Sequence, residues 1–118
     1  EHPDIHLRKI LVKDQLAGYS KLILNSSPNF SQINPIAKFE RLYLLKEFYG
    51  LGLGEKLLNH NIKIAKENNQ KALWLFVWVE NVRAFKFYKK SGFKVTGKHD
   101  FKISENHSNP NYIMLKEI

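Results

Sequence analysis

The 118-residue chain contains no cysteine, four prolines and one methionine, and acidic residues are scarce beside basic ones. Without cysteine, a disulfide framework, a thiolate metal site and a cysteine nucleophile are excluded. No apolar stretch is long enough for a membrane span, and nothing at the N-terminus resembles a signal peptide, so we expect a cytoplasmic protein. The length predicts a single domain over residues 1–118 with a modest core.

The shortage of acidic residues leaves a formal net charge of +8, from 19 Lys and Arg against 11 Asp and Glu. A basic balance fits a polyanionic small ligand, and it fits nucleic acid as well. The basic residues are spread along the chain, with one local group at Lys86, Lys89, Lys90 and Lys94. Because no recognised nucleic-acid motif accompanies them, we do not expect nucleic acid as the principal partner.

Hydrophobic patterning predicts an alternation of strands and helices along the chain. Strands are expected at residues 5–12, 16–24, 39–45, 73–79 and 93–103 and at the end of the chain, and helices at about 51–68 and 82–91. Loops are expected over residues 25–35 and 104–110, where Ser, Asn and Pro are concentrated. This order predicts a mixed sheet of the α/β type.

The densest glycine segment, Gly50-Leu51-Gly52-Leu53-Gly54, lies between a predicted strand and a predicted helix. A strand that leads into such a turn aims free backbone N–H groups and the positive end of a helix dipole at one point. Such a point binds phosphate, and glycine lets the ligand approach the backbone closely. The alternative is that the glycines only form the turn, but three at alternate positions favour a phosphate-bearing ligand.

Two common nucleotide loops do not fit this turn. A Walker A loop needs a Lys-Ser/Thr pair after its last glycine, whereas Gly54 is followed by Glu55 and Lys56. A dinucleotide fingerprint needs its third glycine three residues after the second, and Glu55 occupies that position.

A second informative segment follows the strand predicted at residues 73–79. Asn81 suits a helix N-cap, Phe85 and Tyr88 share a helix face, and Gly92 suits the helix end.

The two segments together resemble the GNAT superfamily of N-acetyltransferases, which use acetyl-coenzyme A. That family carries an Arg/Gln-x-x-Gly-x-Gly/Ala loop after its fourth strand and an Asn-x-x-Ala-x-x-Phe-Tyr-x-x-x-Gly-Phe segment after its fifth. The loop pattern is matched at Gly52 and Gly54, with Tyr49 at the Arg/Gln position. The second pattern is matched at Asn81, Ala84, Phe87, Tyr88, Gly92 and Phe93.

The resemblance covers about residues 5–118, and residues 99–114 look like the spermine/spermidine acetyltransferase branch. It implies a GNAT-type mixed, mostly antiparallel β-sheet with flanking helices in one acetyl-CoA-binding domain. The family's first strand and two helices have no counterpart here. We therefore expect either a fragment or a domain completed at its sheet edge by a second copy or another chain.

The same resemblance implies transfer of an acetyl group from acetyl-CoA to a primary amine, either a polyamine or another small amine, with no metal. The cofactor-binding residues that it implies for the pyrophosphate are Tyr49, Gly50, Leu51, Gly52, Leu53 and Gly54, through their amides. It further implies that Asn81 binds the pantetheine arm and that backbone around Leu44 pairs with the arm like an added strand.

Two residues are candidates for proton transfer. Tyr88 matches the family tyrosine that protonates the departing sulfur, and a phenol with a pKa of about 10 keeps its proton at neutral pH. Its alternative role is a core aromatic. Glu40 is the candidate base, acting through water, and its alternative role is an exposed strand carboxylate. The histidines at positions 2, 6, 60, 99 and 107 show neither metal nor triad spacing.

Two other functions remain open on the sequence. A truncated, catalytically weak CoA-binding domain is consistent with the missing N-terminal elements. A basic nucleotide- or nucleic-acid-binding module is consistent with the net charge, but it fits the motifs less well.

Overall fold

A computed structural model describes residues 4–28 and 33–118. The chain divides into two compact units, a first unit formed by Glu1–Leu73 with Ile118 and a second unit formed by Trp74–Glu117. The expectation of a single domain over residues 1–118 stays a prediction.

The first unit contains three strands, β1 (Ile5–Val12), β2 (Gln15–Ile23) and β3 (Ile36–Leu44), followed by a short 3-10 helix (Lys46–Phe48) and helix α1 (Leu53–Glu67). The strands pair as antiparallel neighbours in the order β1-β2-β3. Strong β formers and alternating polar residues favour these strands over helix. The sequence therefore located every regular element of this unit except the 3-10 helix.

The largest boundary difference in the first unit is at the start of β3. Strand β3 begins at Ile36 rather than at residue 39, because Ile36 and Ala37 are fully buried and extend the core side of the strand. The predicted loop over residues 25–35 includes residues 29–32, which lie outside the described part of the chain.

Helix α1 buries one face. Leu53, Leu57, Leu58 and Ala65 are buried as the amphipathic pattern predicts. The same apolar spacing also predicts Ile62 on this face, but Ile62 is only half-buried, whereas Asn61 and Ile64 are buried. Asn61 is accommodated because its side-chain nitrogen donates to the hydroxyl of Ser20 on β2 over 2.9 Å. The helix therefore packs on the sheet face that carries Ser20.

Strand β4 (Ala72–Trp78) begins at the end of the first unit and continues into the second, which also contains helix α2 (Val82–Lys90), strand β5 (Lys94–Ser104) and strand β6 (His107–Glu117). The order of these strands is β4-β6-β5, and β5 and β6 form a long antiparallel hairpin. Trp74, Leu75, Phe93, Ile113 and Met114 are buried in this unit.

The loop predicted over residues 104–110 is wrong. Only Glu105 and Asn106 separate β5 from β6, and Pro110 lies within β6 opposite Asp100. The Pro110 carbonyl accepts a hydrogen bond from the amide of Val79 over 3.1 Å. Since the N–H and C=O of a strand residue point to the same side, the missing N–H of Pro110 also faces Val79, which follows the end of β4. Proline is tolerated in a strand where no ladder donor is needed.

The described residues thus contain six mostly antiparallel strands and two helices, which confirms the predicted mixed α/β fold. Within the same residues, no helix is long and apolar enough to cross a membrane.

Candidate functional site

The glycine-rich turn before α1 has an alternating backbone conformation. Gly50 and Gly52 have φ angles of 82° and 74°, whereas Leu51 between them does not have a positive φ. Gly52 is the N-cap of α1 and offers no side chain to cap the helix. Left-handed residues that alternate with residues of negative φ can turn successive amides toward a common side, as backbone anion sites do.

The amides of this turn differ in whether they already have partners. The amide of Phe48 donates to the carbonyl of Leu45 over 3.0 Å, and that of Tyr49 donates to the carbonyl of Lys46 over 3.1 Å. The first hydrogen bond of α1 joins the amide of Lys56 to the carbonyl of Gly52 over 3.1 Å. Among the described residues, no acceptor is recorded for the amides from Gly50 to Glu55. The amide of Tyr49 was predicted to bind the pyrophosphate, but it already donates to the carbonyl of Lys46. The candidate donors are therefore the amides that follow Tyr49.

The turn also has open space beside its two left-handed glycines. A Cβ atom built on Gly50 or Gly52 would meet no heavy atom within 4 Å. The glycines are thus required by their positive φ and not by neighbouring side chains in the described structure. Open space beside several unpaired amides and the start of a 15-residue helix suits a diphosphate.

The end of β3 presents the backbone of Leu44 away from β2. Leu44 lies opposite Gly18, and the next residue, Leu45, donates its amide to the carbonyl of Ala17 over 2.8 Å. Since hydrogen-bonding direction alternates along an antiparallel strand, the N–H and carbonyl of Leu44 point to the other side of β3. This orientation is the one that pairing with an extended ligand arm needs.

Gly18 allows β2 to approach this end of β3 closely. A Cβ atom at Gly18 would lie 2.2 Å from the carbonyl oxygen of Tyr43 and 2.7 Å from a side-chain carbon of Leu44. The two strands can approach this closely only because position 18 has no side chain.

Glu40 lies in a β-bulge of β3. Phe39 pairs with Leu22 and Arg41 pairs with Lys21, so Glu40 has no opposite residue on β2. Its carboxylate is exposed, and Oε2 lies 3.4 Å from Nζ of Lys21. Bulges commonly redirect a side chain beside a functional site. The candidate base is therefore accessible, but it already has a cationic neighbour.

A tyrosine pair and a guanidinium adjoin Glu40. The rings of Tyr19 and Tyr43 lie 5.6 Å apart, and Nη1 of Arg41 donates to the hydroxyl of Tyr19 over 3.4 Å. This hydrogen bond raises the pKa of the Arg41 guanidinium, which stays charged. The sequence interpretation singled out neither Lys21 nor Arg41 as a site residue, although the alternation of β2 and β3 places both on one face.

In the second unit, Asn81 is the N-cap of α2, as predicted. Its Oδ1 accepts a hydrogen bond from the amide of Ala84 over 3.2 Å, and its carbonyl accepts one from Phe85 over 3.0 Å. The side chain is exposed, and its nitrogen has no recorded partner in the described residues. Capping thus uses the oxygen of Asn81 and leaves the NH₂ group as a donor for a ligand.

Tyr88 lies in the last turn of α2, which ends in a Schellman motif. Phe93 donates its amide to the carbonyl of Tyr88 over 2.9 Å, and Gly92 donates to that of Lys89 over 3.1 Å. Gly92 has a φ of 98°, the left-handed conformation that this motif requires. Nζ of Lys116 donates to the carbonyl of Ser91 over 2.7 Å, where a cation stabilises the helix C-terminus.

The Tyr88 side chain is packed among aromatic rings. It is 8% exposed and lies edge-on to Phe87 and Phe93, with ring centroids 5.3 Å and 5.4 Å away. Burial raises the pKa of its hydroxyl, so the phenol is protonated throughout the neutral range. Its chemistry fits a proton donor and also fits the alternative of a core aromatic.

The structure brings together some of the predicted site residues within each unit. Glu40, Leu44 and the turn at 50–54 follow one another along β3 and into α1. Asn81 and Tyr88 belong to the same helix, but they are seven residues apart, which is about 10 Å along the axis. No group of three or more His, Cys, Asp and Glu side chains in the described ranges could hold a metal ion.

The sequence matches the acetyltransferase (GNAT) family over residues 2–93. Most of the chain is included in this match, and the chain therefore belongs to the GNAT acetyltransferase family.

Three similar proteins illustrate this membership. An uncharacterized N-acetyltransferase of Mycobacterium bovis is 30% identical over 104 residues, covering 88% of this chain and 62% of the relative. The crystal structure of PaiA N-acetyltransferase from Thermoplasma acidophilum in complex with coenzyme A is 30% identical, with a TM-score of 0.74, covering 98% of this chain and 62% of that one. The spermine/spermidine N(1)-acetyltransferase of Bacillus subtilis is 29% identical over 80 residues, covering 67% of this chain and 48% of the relative. The chain thus spans less than two thirds of the length of each.

Proposed function

We propose that this protein is an acetyl-CoA-dependent N-acetyltransferase that acetylates a primary amine of a small molecule. The observation that carries the proposal is the turn before α1, where the amides from Gly50 to Glu55 have no partner among the described residues and lie beside two left-handed glycines. Family membership supports it, and so does the coenzyme A bound in the related Thermoplasma structure.

In this proposal, main chain holds most of the acetyl-CoA. The amides of Gly50–Gly54 donate to the pyrophosphate, and the N–H of Leu44 donates to the pantetheine arm or to the thioester carbonyl. The Asn81 side chain donates its free NH₂ group to the arm. Preorganised backbone donors of this kind position the thioester and stabilise negative charge that develops on its oxygen.

Tyr88 and Glu40 have complementary proton-transfer roles in the proposal. Tyr88 donates a proton to the departing thiolate, whose conjugate acid has a pKa of about 8.5. Glu40 accepts the proton of the attacking amine through a water molecule. Burial raises the pKa of the Tyr88 phenol, so in this proposal Tyr88 enters the reaction protonated, although the same shift makes it a weaker acid.

The proposal leaves open which primary amine is the acceptor. Resemblance to the Bacillus subtilis spermine/spermidine acetyltransferase supports a polyamine as one candidate. Any small primary amine that reaches Glu40 meets the chemical requirement.

A second candidate function is a CoA-binding domain with weak turnover. The ion pair between Glu40 and Lys21 favours it, because the ammonium group of Lys21 occupies the carboxylate that the attacking amine or its water would need. Such a domain would bind the cofactor without releasing thiol in the presence of amines.

Released thiol is the readout that tests the proposal. The protein is mixed with acetyl-CoA and a panel of primary amines, and calorimetry with CoA, ATP and duplex DNA is run in parallel. Thiol release that depends on an amine supports acetyl transfer. Binding of CoA without such release favours the second candidate, and binding of DNA or ATP in preference to CoA contradicts both.

A further inference from the structure

The three strands of the first unit have a pronounced charge imbalance. They contain one acidic residue, Glu40, and the basic residues Arg8, Lys9, Lys21, Lys38 and Arg41. This imbalance matters because Glu40 is the candidate base, so any acceptor that reaches it must approach through the field of these cations.

Strand register divides these charges between the two faces of the sheet. Arg8 pairs with Ser20, whose hydroxyl contacts Asn61 of α1, so Arg8 belongs to the helix-covered face. The other basic residues belong to the opposite face, because Lys9 pairs with Tyr19, Lys38 with Ile23, and Arg41 with Lys21.

Glu40 lies on the same face as these cations. Its carboxylate contacts Lys21, and Arg41 contacts Tyr19, which is two residues from Lys21 on β2. Side chains two residues apart on a strand point to the same face. The face opposite α1 therefore carries one carboxylate among four cationic side chains.

Arg41 is the cation best able to bind an anionic group. It is exposed, and within the described part of the chain its recorded hydrogen bond is the 3.4 Å contact with Tyr19. Lys21, in contrast, is engaged with Glu40. A guanidinium with free N–H groups binds a carboxylate or phosphate through two parallel hydrogen bonds.

We infer that the acceptor is a small primary amine that also carries an oxyanion, either a carboxylate or a phosphate, and that Arg41 binds this oxyanion. Glu40 and Arg41 are adjacent residues on one face of the sheet. An acceptor whose amine lies at Glu40 and whose oxyanion lies at Arg41 therefore has only a few bonds between these two groups. A polyamine presents further cations to this face and is repelled. The inference rests on the proposed acetyl transfer and specifies its substrate.

Matched amines test this inference. β-Alanine and phosphoethanolamine carry the oxyanion, propylamine and ethanolamine are their counterparts without it, and spermidine represents polyamines. Released thiol gives kcat/KM for each at one fixed salt concentration. We expect the anionic amines to exceed their counterparts by about tenfold or more, the size of one hydrogen bond between charged groups. The better of the two anionic amines identifies the oxyanion.

Two arginine variants separate a local contact from the overall field. Arg41→Gln is expected to raise KM for the anionic amine by about tenfold and to leave KM for propylamine and for acetyl-CoA unchanged. Arg41→Lys is expected to recover part of the loss. Arg8→Gln removes the same charge from the helix-covered face and is expected to change none of these constants.

Several results would overturn the inference. One is a kcat/KM for spermidine or propylamine that equals or exceeds that of the anionic amines, and another is an equal effect of Arg41→Gln and Arg8→Gln. If no amine releases thiol, acetyl transfer fails, and the inference is then judged by calorimetry on the CoA-loaded protein. Tighter binding of β-alanine than of propylamine, lost in Arg41→Gln, supports it. Equal or absent binding overturns it.

Discussion

The amide of Phe93 donates to the carbonyl of Tyr88 over 2.9 Å, and the two rings lie 5.4 Å apart. One backbone motif thus ends α2 and fixes the side chain proposed as the proton donor. Because Gly92 supplies the left-handed residue of this motif, the position of the phenol depends on glycine two residues beyond the helix.

Tyr88→Phe removes the proposed acid without removing the ring. We expect turnover to fall by about 100-fold or more, the usual contribution of a positioned general acid, while the affinity for CoA changes little. Steady-state kinetics and calorimetry measure the two quantities. Tyr112→Phe, which removes a hydroxyl from β6, is the matched control. Wild-type turnover in Tyr88→Phe would exclude the acid role.

The buried phenol also predicts a pH dependence of stability. Burial raises the pKa of Tyr88 in the folded state above the unfolded value of about 10. The folded protein therefore binds more protons above pH 10, and the free energy of unfolding decreases as pH rises beyond that value. Urea unfolding at pH 8 and pH 11 should show a larger loss for the wild type than for Tyr88→Phe. Equal losses would show that the hydroxyl is not buried in solution.

Substitutions at Gly52 separate backbone strain from ligand contact. Ala at a φ of 74° is strained and should lower stability by about 1 kcal/mol, whereas Asn tolerates this conformation and should lower it less. Both side chains project into the space assigned to the pyrophosphate, so both should weaken CoA binding, by about tenfold. Thermal unfolding and calorimetry give the two measurements. Wild-type affinity in Gly52→Asn would place the diphosphate elsewhere.

The buried Asn61 predicts a non-additive pair of substitutions. Its nitrogen donates to the hydroxyl of Ser20 and to the carbonyl of Leu57, while its buried Oδ1 has no partner among the described residues. Ser20→Ala should cost about 1 kcal/mol. Adding Asn61→Leu removes the side-chain N–H that Ser20→Ala leaves without its acceptor, and it also removes the unpaired oxygen. The double variant should therefore be at least as stable as Ser20→Ala. Urea unfolding tests this, and additive losses would contradict it.

Local signals predicted much of this structure. The glycines at 50, 52 and 92 have positive φ, and the turn and the helix end fall where their spacing indicates. Asn81 caps α2 because the short side chain can reach the amide of Ala84, a contact within one turn.

Features that depend on pairing between distant residues could not be read from the sequence. The bulge at Glu40 and its contact with Lys21 depend on the register of β3 against β2. Asn61 is buried because Ser20 supplies a partner from another element. Pro110 lies in a strand rather than a loop because its missing N–H faces the chain beyond the end of β4.

An amide chemical-shift titration of the ¹⁵N-labelled protein with CoA shows directly whether the turn before α1 binds the diphosphate. We expect the largest shifts at the amides from Gly50 to Gly54, and we expect pantetheine, which lacks the diphosphate, to leave them nearly unchanged. Saturable binding of CoA that leaves the shifts of these amides unchanged would show that the turn does not bind the diphosphate.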